Sequence, residues 1–234
     1  MTERTPLVLL PGLLLDAALW QPQLVALAEI ADMSVGDLTR GDSMATMAQS
    51  VLGAAPPRFA LAGLSMGGYV AFEIMRQAPQ RVMRLALLDT SARPDTPEQT
   101  KERRAFINMC QQGQFKGVTP RLLPRWIHPS RLNDKTLTET VMSMTARAGR
   151  DVFIRQQTAI IGRPDSRPGL SQIHCPTLVL CGHEDQATPV EMHREMAADI
   201  PNARLVVVPE CGHLSPLERP EAVNAAMRAW LVSD

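Results

Sequence analysis

Six short runs dense in apolar residues punctuate this chain, at 6–10, 32–38, 58–63, 83–89, 176–181 and 204–208, and they read as strands. Between them the apolar positions recur at helical spacing, as in Val70, Ala71, Ile74, Met75 and Ala78 after Gly67. Strands that alternate with helices predict an α/β fold, a mainly parallel six-stranded sheet flanked by helices and wound by right-handed crossovers. From Asp89 to Pro176 the strand pattern stops. Stretches near 97–112, 114–127, 134–147 and 151–162 carry helical spacing instead, separated by proline, glycine and asparagine. The expected organisation is therefore a core domain built from 1–91 and 164–234, with a helical cap inserted over 92–163.

Composition narrows the partners. With 234 residues and 45% apolar content, the chain can bury one core of ordinary α/β size. Basic and acidic residues number 24 each, so neither a basic stripe for nucleic acid nor an acidic tail is expected. A small molecule is the expected partner, and the chain is expected to act as a monomer or homodimer. No apolar run reaches the roughly 20 residues of a membrane span. The run from Leu7 to Leu15 is broken by Pro11-Gly12, so it reads as the first strand and its loop rather than a signal peptide, and a cytoplasmic location is expected. Cys110, Cys175, Cys181 and Cys211 form no C-x-x-C pair and no zinc spacing. They are expected to be free thiols in a reducing compartment, with neither metal nor cofactor implied.

The chemistry is signalled by Gly63-Leu64-Ser65-Met66-Gly67, a G-x-S-x-G pentapeptide between an apolar strand and a helix. A serine on so tight a turn is held in a strained backbone, and the residues two before and two after it must be small. Such a serine takes its acid and its histidine from later in the chain, in that order. Asp185 follows the run ending at Cys181, and His213 follows the run ending at Val208, so both fall on loops at the carboxyl edge of the sheet. His183 lies two residues from Asp185 and reaches Ser65 awkwardly. His128, His174 and His193 fall between helices, before a strand and within a helix. Asp89, Glu184 and Glu210 are the rival acids, with Asp89 the strongest because it ends the fourth strand. An imidazole with an ordinary pKa of about 6.5 can accept the serine proton near neutrality, and a carboxylate behind it fixes its tautomer. The oxyanion needs two backbone donors. Met66 at the start of the helix and Leu13 in the first loop are assigned to that role.

Taken together, Leu9-Leu10-Pro11-Gly12-Leu13, Trp20, Arg40-Gly41, Gly63 to Gly68, Leu87-Leu88-Asp89-Thr90-Ser91, Gly182 with Asp185, and Cys211-Gly212-His213 followed by Pro216, Glu218, Arg219 and Pro220 run over nearly the whole length. In these residues the chain resembles α/β-hydrolase-fold serine hydrolases, close to the small bacterial carboxylesterases and 3-oxoadipate enol-lactonase-like proteins. Most such relatives open with His-Gly where this chain has Pro11-Gly12. The resemblance implies an α/β-hydrolase fold whose cap covers Ser65. It implies carboxylic ester hydrolysis through an acyl-serine, with an enol-lactonase or a carbon–carbon hydrolase or lyase acting on a carboxylated substrate as the alternative. A serine at the elbow argues against dehalogenases and epoxide hydrolases, which need aspartate there. Leu14, Phe106, Met109, Trp126, Met142 and Leu214 are the expected pocket residues. The resemblance also favours an arginine for a substrate carboxylate among the nine from Arg93 to Arg155, without selecting one.

Overall fold

The computed structural model describes residues 4–233. Its six strands are β1 (Thr5–Leu10), β2 (Ala31–Val35), β3 (Phe59–Leu64), β4 (Val82–Leu88), β5 (Thr177–Gly182) and β6 (Ala203–Val208). All pair in parallel in the order β2-β1-β3-β4-β5-β6. The helices are α1 (Gln21–Ala26), α2 (Met44–Ala54), α3 (Met66–Gln77), α4 (Pro97–Gln111), α5 (Lys135–Ile161), α6 (Val190–Asp199), α7 (Ser215–Glu218) and α8 (Pro220–Val232). No helix among the described residues is long and apolar enough to cross a membrane.

Strand side chains alternate between the two faces of the sheet. Leu7, Leu9, Ala60, Ala62, Leu178 and Leu180 point to one face and meet Val223, Met227 and Trp230 of α8. Val8, Leu10, Leu61, Leu85, Leu87 and Val179 point to the other and meet Met47 and Val51 of α2, Val70 and Ile74 of α3 and Met196 of α6. Both faces are thus covered, which is why these strands read as continuous apolar runs. The edge strand β2 ends at Val35, three residues short of the apolar pattern, because Leu38 beyond it is buried among the α2 residues rather than extending the sheet.

The strand order reverses between β1 and β3, and at that switch point the loops after both strands face one crevice. The register sets Leu10 beside Gly63 and Leu64 beside Leu88, so the carboxyl ends of these strands are level.

Residues between β4 and β5 form α4 and α5, and their entry and exit are clasped together. Ser166 N donates to Ala92 O at 2.8 Å, and Arg163 Nε donates to Arg93 O at 3.1 Å. α4 begins with a capping box of Thr96 and Gln99 and with Pro97 in its first turn, a start that satisfies otherwise orphaned amides. α5 is interrupted at Gly149, whose φ of 79° and ψ of 177° leave the helical region, so the two helical stretches expected there meet end to end. The helix expected over 114–127 is absent. Gly117 takes a φ of +65°, and Pro120 and Pro124 lack amide donors, so only Leu123–Arg125 coils into a single 3-10 turn. Its apolar spacing serves an irregular segment instead, which buries Val118, Leu123 and Ile127 in the core.

Candidate active site

Ser65 sits between β3 and α3 with φ 53° and ψ −116°, a left-handed geometry that non-glycine residues seldom adopt. Its surroundings impose it. Ser65 N donates to Leu88 O at 3.0 Å, and Ser65 O accepts from Thr90 Oγ1 at 2.7 Å. The two small residues are required by close backbone passage, since a Cβ on Gly63 would lie 2.4 Å from Gly67 O and one on Gly67 would lie 2.3 Å from Leu10 O. Sequence reasoning anticipated this crowding.

His213, on the loop after β6, places Nε2 2.9 Å from Ser65 Oγ. Its Nδ1 lies 2.8 Å from Asp185 Oδ2, on the loop after β5. Asp185 Oδ1 accepts from the amides of Ala187 at 2.8 Å and Thr188 at 3.0 Å, while Oδ2 also accepts from Thr188 Oγ1 at 2.7 Å. Serine, histidine and aspartate thus form one continuous hydrogen-bonded chain. Burial alone would raise the Asp185 carboxyl, but the neighbouring His213 and these donors outweigh it and hold the pKa below the ordinary carboxylate value. Burial likewise disfavours an imidazolium at His213, yet Asp185 foremost, then Asp89 and Glu218, outweigh it and raise the pKa above 6.5.

The rival residues lie elsewhere. Asp89 is fully buried, accepts from Gly182 N at 2.9 Å and from Ser215 Oγ at 2.5 Å, and makes no bond to His213. Glu184 accepts from Cys211 N at 3.0 Å and meets His183 Nδ1 at 2.9 Å, and Glu210 pairs with Arg219 at the surface. His193 is buried, with its pKa pushed down to about 4 by desolvation, and its Nε2 accepts the Thr90 amide at 3.0 Å. His128 Nδ1 meets Ser130 Oγ, and His174 is exposed.

Leu13 and Met66 both border the site. Met66 opens α3, where an amide has no acceptor inside the helix. Leu13 lies in a turn closed by Leu15 N donating to Gly12 O at 3.1 Å, and Gly12 packs against Ser65. Leu13 lines a cavity of about 620 Å³ bounded by Ser65 and His213 on the sheet side and by α4, α5 and the 114–126 segment on the other, and Met66 follows Ser65 in the chain. One face of α4 changes character along the cavity wall, from Gln99, Glu102 and Arg103 to Phe106, Met109 and Cys110. Leu14, Phe106, Met109, Trp126 and Leu214 line the cavity. Met142 does not. Val141 and Met144 turn into the core, which leaves Met142 packed at the core's margin away from the cavity.

Sequence reasoning assigned no role to three further groups. Glu218 is fully buried and accepts from the amides on both sides of His213, Gly212 at 3.1 Å and Leu214 at 3.0 Å, and from His128 N at 2.7 Å. Thr188 braces Asp185. Gln156 of α5 accepts from Leu14 N at 2.9 Å. A glutamate just after the histidine was visible as part of the family resemblance, whereas nothing local marks Gln156. Among the described residues no group of three or more His, Cys, Asp or Glu is arranged to hold a metal ion. All four cysteines are free.

A sequence model described as the alpha/beta hydrolase family matches residues 7–226. This chain belongs to the α/β hydrolase family. Its relatives within that family differ in substrate. A thermophilic esterase from Thermogutta terrifontis is 33% identical, with a TM-score of 0.88 over 97% of this chain and 89% of its own. The enol-lactonase from Burkholderia xenovorans LB400 shares the fold at 24% identity, with a TM-score of 0.89 over 99% of this chain and 92% of its own. An (E)-2-((N-methylformamido)methylene)succinate hydrolase from Acinetobacter baylyi is 28% identical over 98% of this chain and 91% of its own. The chain is thus an α/β hydrolase with esterase and enol-lactonase neighbours.

Proposed function

We propose that this α/β hydrolase cleaves carboxylic esters of small, largely apolar substrates through an acyl-serine intermediate. The observation that carries the reading is the unbroken chain from Ser65 Oγ through His213 to Asp185, opening onto a cavity walled in part by Phe106, Phe153 and Trp126. Ser65 attacks the carbonyl carbon while His213 Nε2 accepts its proton, and the amides of Leu13 and Met66 hold the oxyanion. Collapse expels the alcohol, which takes the proton back from His213. Water activated by the same imidazole then cleaves the acyl-serine and restores the enzyme. Asp185 keeps Nδ1 protonated and steadies the imidazolium. Every proton and electron pair is supplied by the chain, its substrate and water, so the scheme calls for no cofactor. In this reading residues 92–163 act as the lid, and short- to medium-chain acyl groups suit the cavity.

The test is a burst-phase assay with p-nitrophenyl acetate, butyrate and octanoate, followed by chromophore release and intact mass. A transient acyl adduct on Ser65, lost together with turnover in Ser65→Ala, is expected. Turnover near wild type in Ser65→Ala would overturn the mechanism.

A second reading, hydrolysis or lactone opening of a carboxylated substrate, is favoured by Arg103. It and Arg125 are the two of the nine arginines from Arg93 to Arg155 that border the cavity. Arg103 Nε donates to Asp95 Oδ2 at 2.7 Å while Arg163 Nη1 donates to Asp95 Oδ1 at 2.6 Å, so two guanidinium groups share one carboxylate beside the cavity. A positive charge remains for an anion. Arg103→Met should raise KM for esters bearing a carboxylate and leave neutral esters unchanged; equal KM values for the two ester classes in wild type and variant would remove this reading.

A further inference from the structure

We infer that Gln156 is a positioning residue that couples the seating of the helical insertion to the oxyanion donor of Leu13; this rests on the serine-hydrolase reading above. The loop after β1 needs outside support. Leu14 has a φ of 61°, in the left-handed region that bulky side chains rarely adopt, and the turn is closed by a single backbone bond from Leu15 N to Gly12 O. Support comes from α5. Gln156, 1% exposed, accepts from Leu14 N at 2.9 Å through Oε1 and donates to Leu38 O at 3.1 Å through Nε2. Its amide therefore bridges the loops after β1 and β2, which are distant in sequence from it and from each other. Both of its bonded groups are committed in a fixed sense, because the acceptor faces an amide and the donor faces a carbonyl.

The consequence for Leu13 is geometric. The peptide carrying Leu14 N–H and the peptide carrying Leu13 N–H meet at the Leu13 α-carbon, so pinning the first limits how far the second can swing. A second brace reaches the same loop from the other side of the Gly149 break, where Arg147 donates to Asp16 Oδ2 at 2.7 and 2.9 Å. Asp16 Oδ1 in turn accepts from Ala18 N at 2.9 Å. Both halves of α5 thus hold the oxyanion loop, one through a buried amide and one through an exposed ion pair. An exposed pair contributes little. The buried amide is the coupling.

The test compares Gln156→Met and Gln156→Glu with wild type in p-nitrophenyl butyrate turnover. The same proteins are titrated with a trifluoromethyl ketone, which forms a tetrahedral adduct, and with butyramide, which forms none. Loss of a whole oxyanion donor lowers kcat about 10²- to 10³-fold, so a displaced one should cost about 10- to 100-fold. The methionine variant is expected to lose that factor in kcat and in ketone affinity, with KM and butyramide affinity within about twofold of wild type. The glutamate variant, which retains an acceptor for Leu14 N–H but sets an oxygen against Leu38 O in place of the donor, is expected to recover part of the loss. Wild-type turnover in Gln156→Met, or equal weakening of ketone and butyramide, would overturn the inference. Should the methionine variant not fold, Gln156→Asn, which withdraws the amide by one methylene, must show the same split between ketone and butyramide. Ser65→Ala is run alongside: if it is inactive while Gln156→Met is unimpaired, only this inference falls, and if it remains active the serine mechanism falls with it.

Discussion

Asp185 and Asp89 occupy similar places beyond the ends of adjacent strands, and both are almost wholly buried, yet their surroundings drive the two carboxyls in opposite directions. Desolvation raises both. At Asp185 it is outweighed by His213 and by three donors from the 185–188 turn. At Asp89 it is reinforced by the negative charge of Asp185, and the hydrogen bonds of Ser215 and Gly182 do not compensate, so the pKa lies well above the ordinary range. A strand-end position therefore does not decide which carboxyl serves the histidine. The partner does.

The comparison breaks most sharply under Asp185→Asn, which leaves His213 without its anion and without control of the tautomer. Turnover of p-nitrophenyl butyrate should fall about 10³- to 10⁴-fold. Asp89→Asn should stay within about fivefold of wild type in the same assay, and a loss as large as that of Asp185→Asn would show that the two carboxyls share the role.

The next effect is on pH. In the proposed mechanism His213 must be neutral to accept a proton, and its pKa is raised, so kcat/KM should rise through a limb centred above pH 6.5. Asp89 raises it only while ionised, and its own pKa lies well above the ordinary range, so Asp89→Asn should move that limb to lower pH by less than about one unit, read from the pH dependence of kcat/KM.

Stability completes the contrast. The folded chain holds the Asp89 proton above the pH at which the unfolded chain releases it, so this group's contribution is lost as pH rises from 3.8 through its raised pKa. Asp185 has a depressed pKa, so its contribution is present above 3.8 and lost as pH falls through the lowered value. Urea unfolding at a series of pH values should show a flatter alkaline-going slope in Asp89→Asn and a flatter acid-going slope in Asp185→Asn. The smallest expected change is in Thr188→Val, which removes one donor from Asp185 and should destabilise the fold by about 1 kcal/mol in the same measurement.

The strands were legible because a sheet covered on both faces writes unbroken apolar runs, and the elbow was legible because its crowding demands small residues at fixed offsets. Residues 114–127 misled. Apolar positions three and four apart also suit a turn-rich segment lying over a core, and Gly117, Pro120 and Pro124 were the better guide there. Met142 shows the same limit at single-residue scale. Periodicity finds the apolar face of a helix, while the neighbours in space decide whether each position meets core or cavity. Gln156 acts through bonds to distant backbone, 142 residues away for Leu14 and 118 for Leu38, and such contacts leave no local pattern. Asp185 was favoured over Asp89 by chain order, and the structure adds the physical difference between their surroundings.

The clasp between Ala92–Arg93 and Arg163–Ser166 has an evolutionary consequence. A segment whose ends already meet can be lengthened, shortened or exchanged without moving the strands it joins, and doubling the length of a flexible closed loop costs only about 0.6 kcal/mol. The sheet side, with its serine and histidine, can therefore be inherited unchanged while the opposite wall is rewritten, so long as the new wall keeps the brace that Gln156 gives the loop after β1. Lineages sharing this scaffold can diverge in diet without relearning their chemistry.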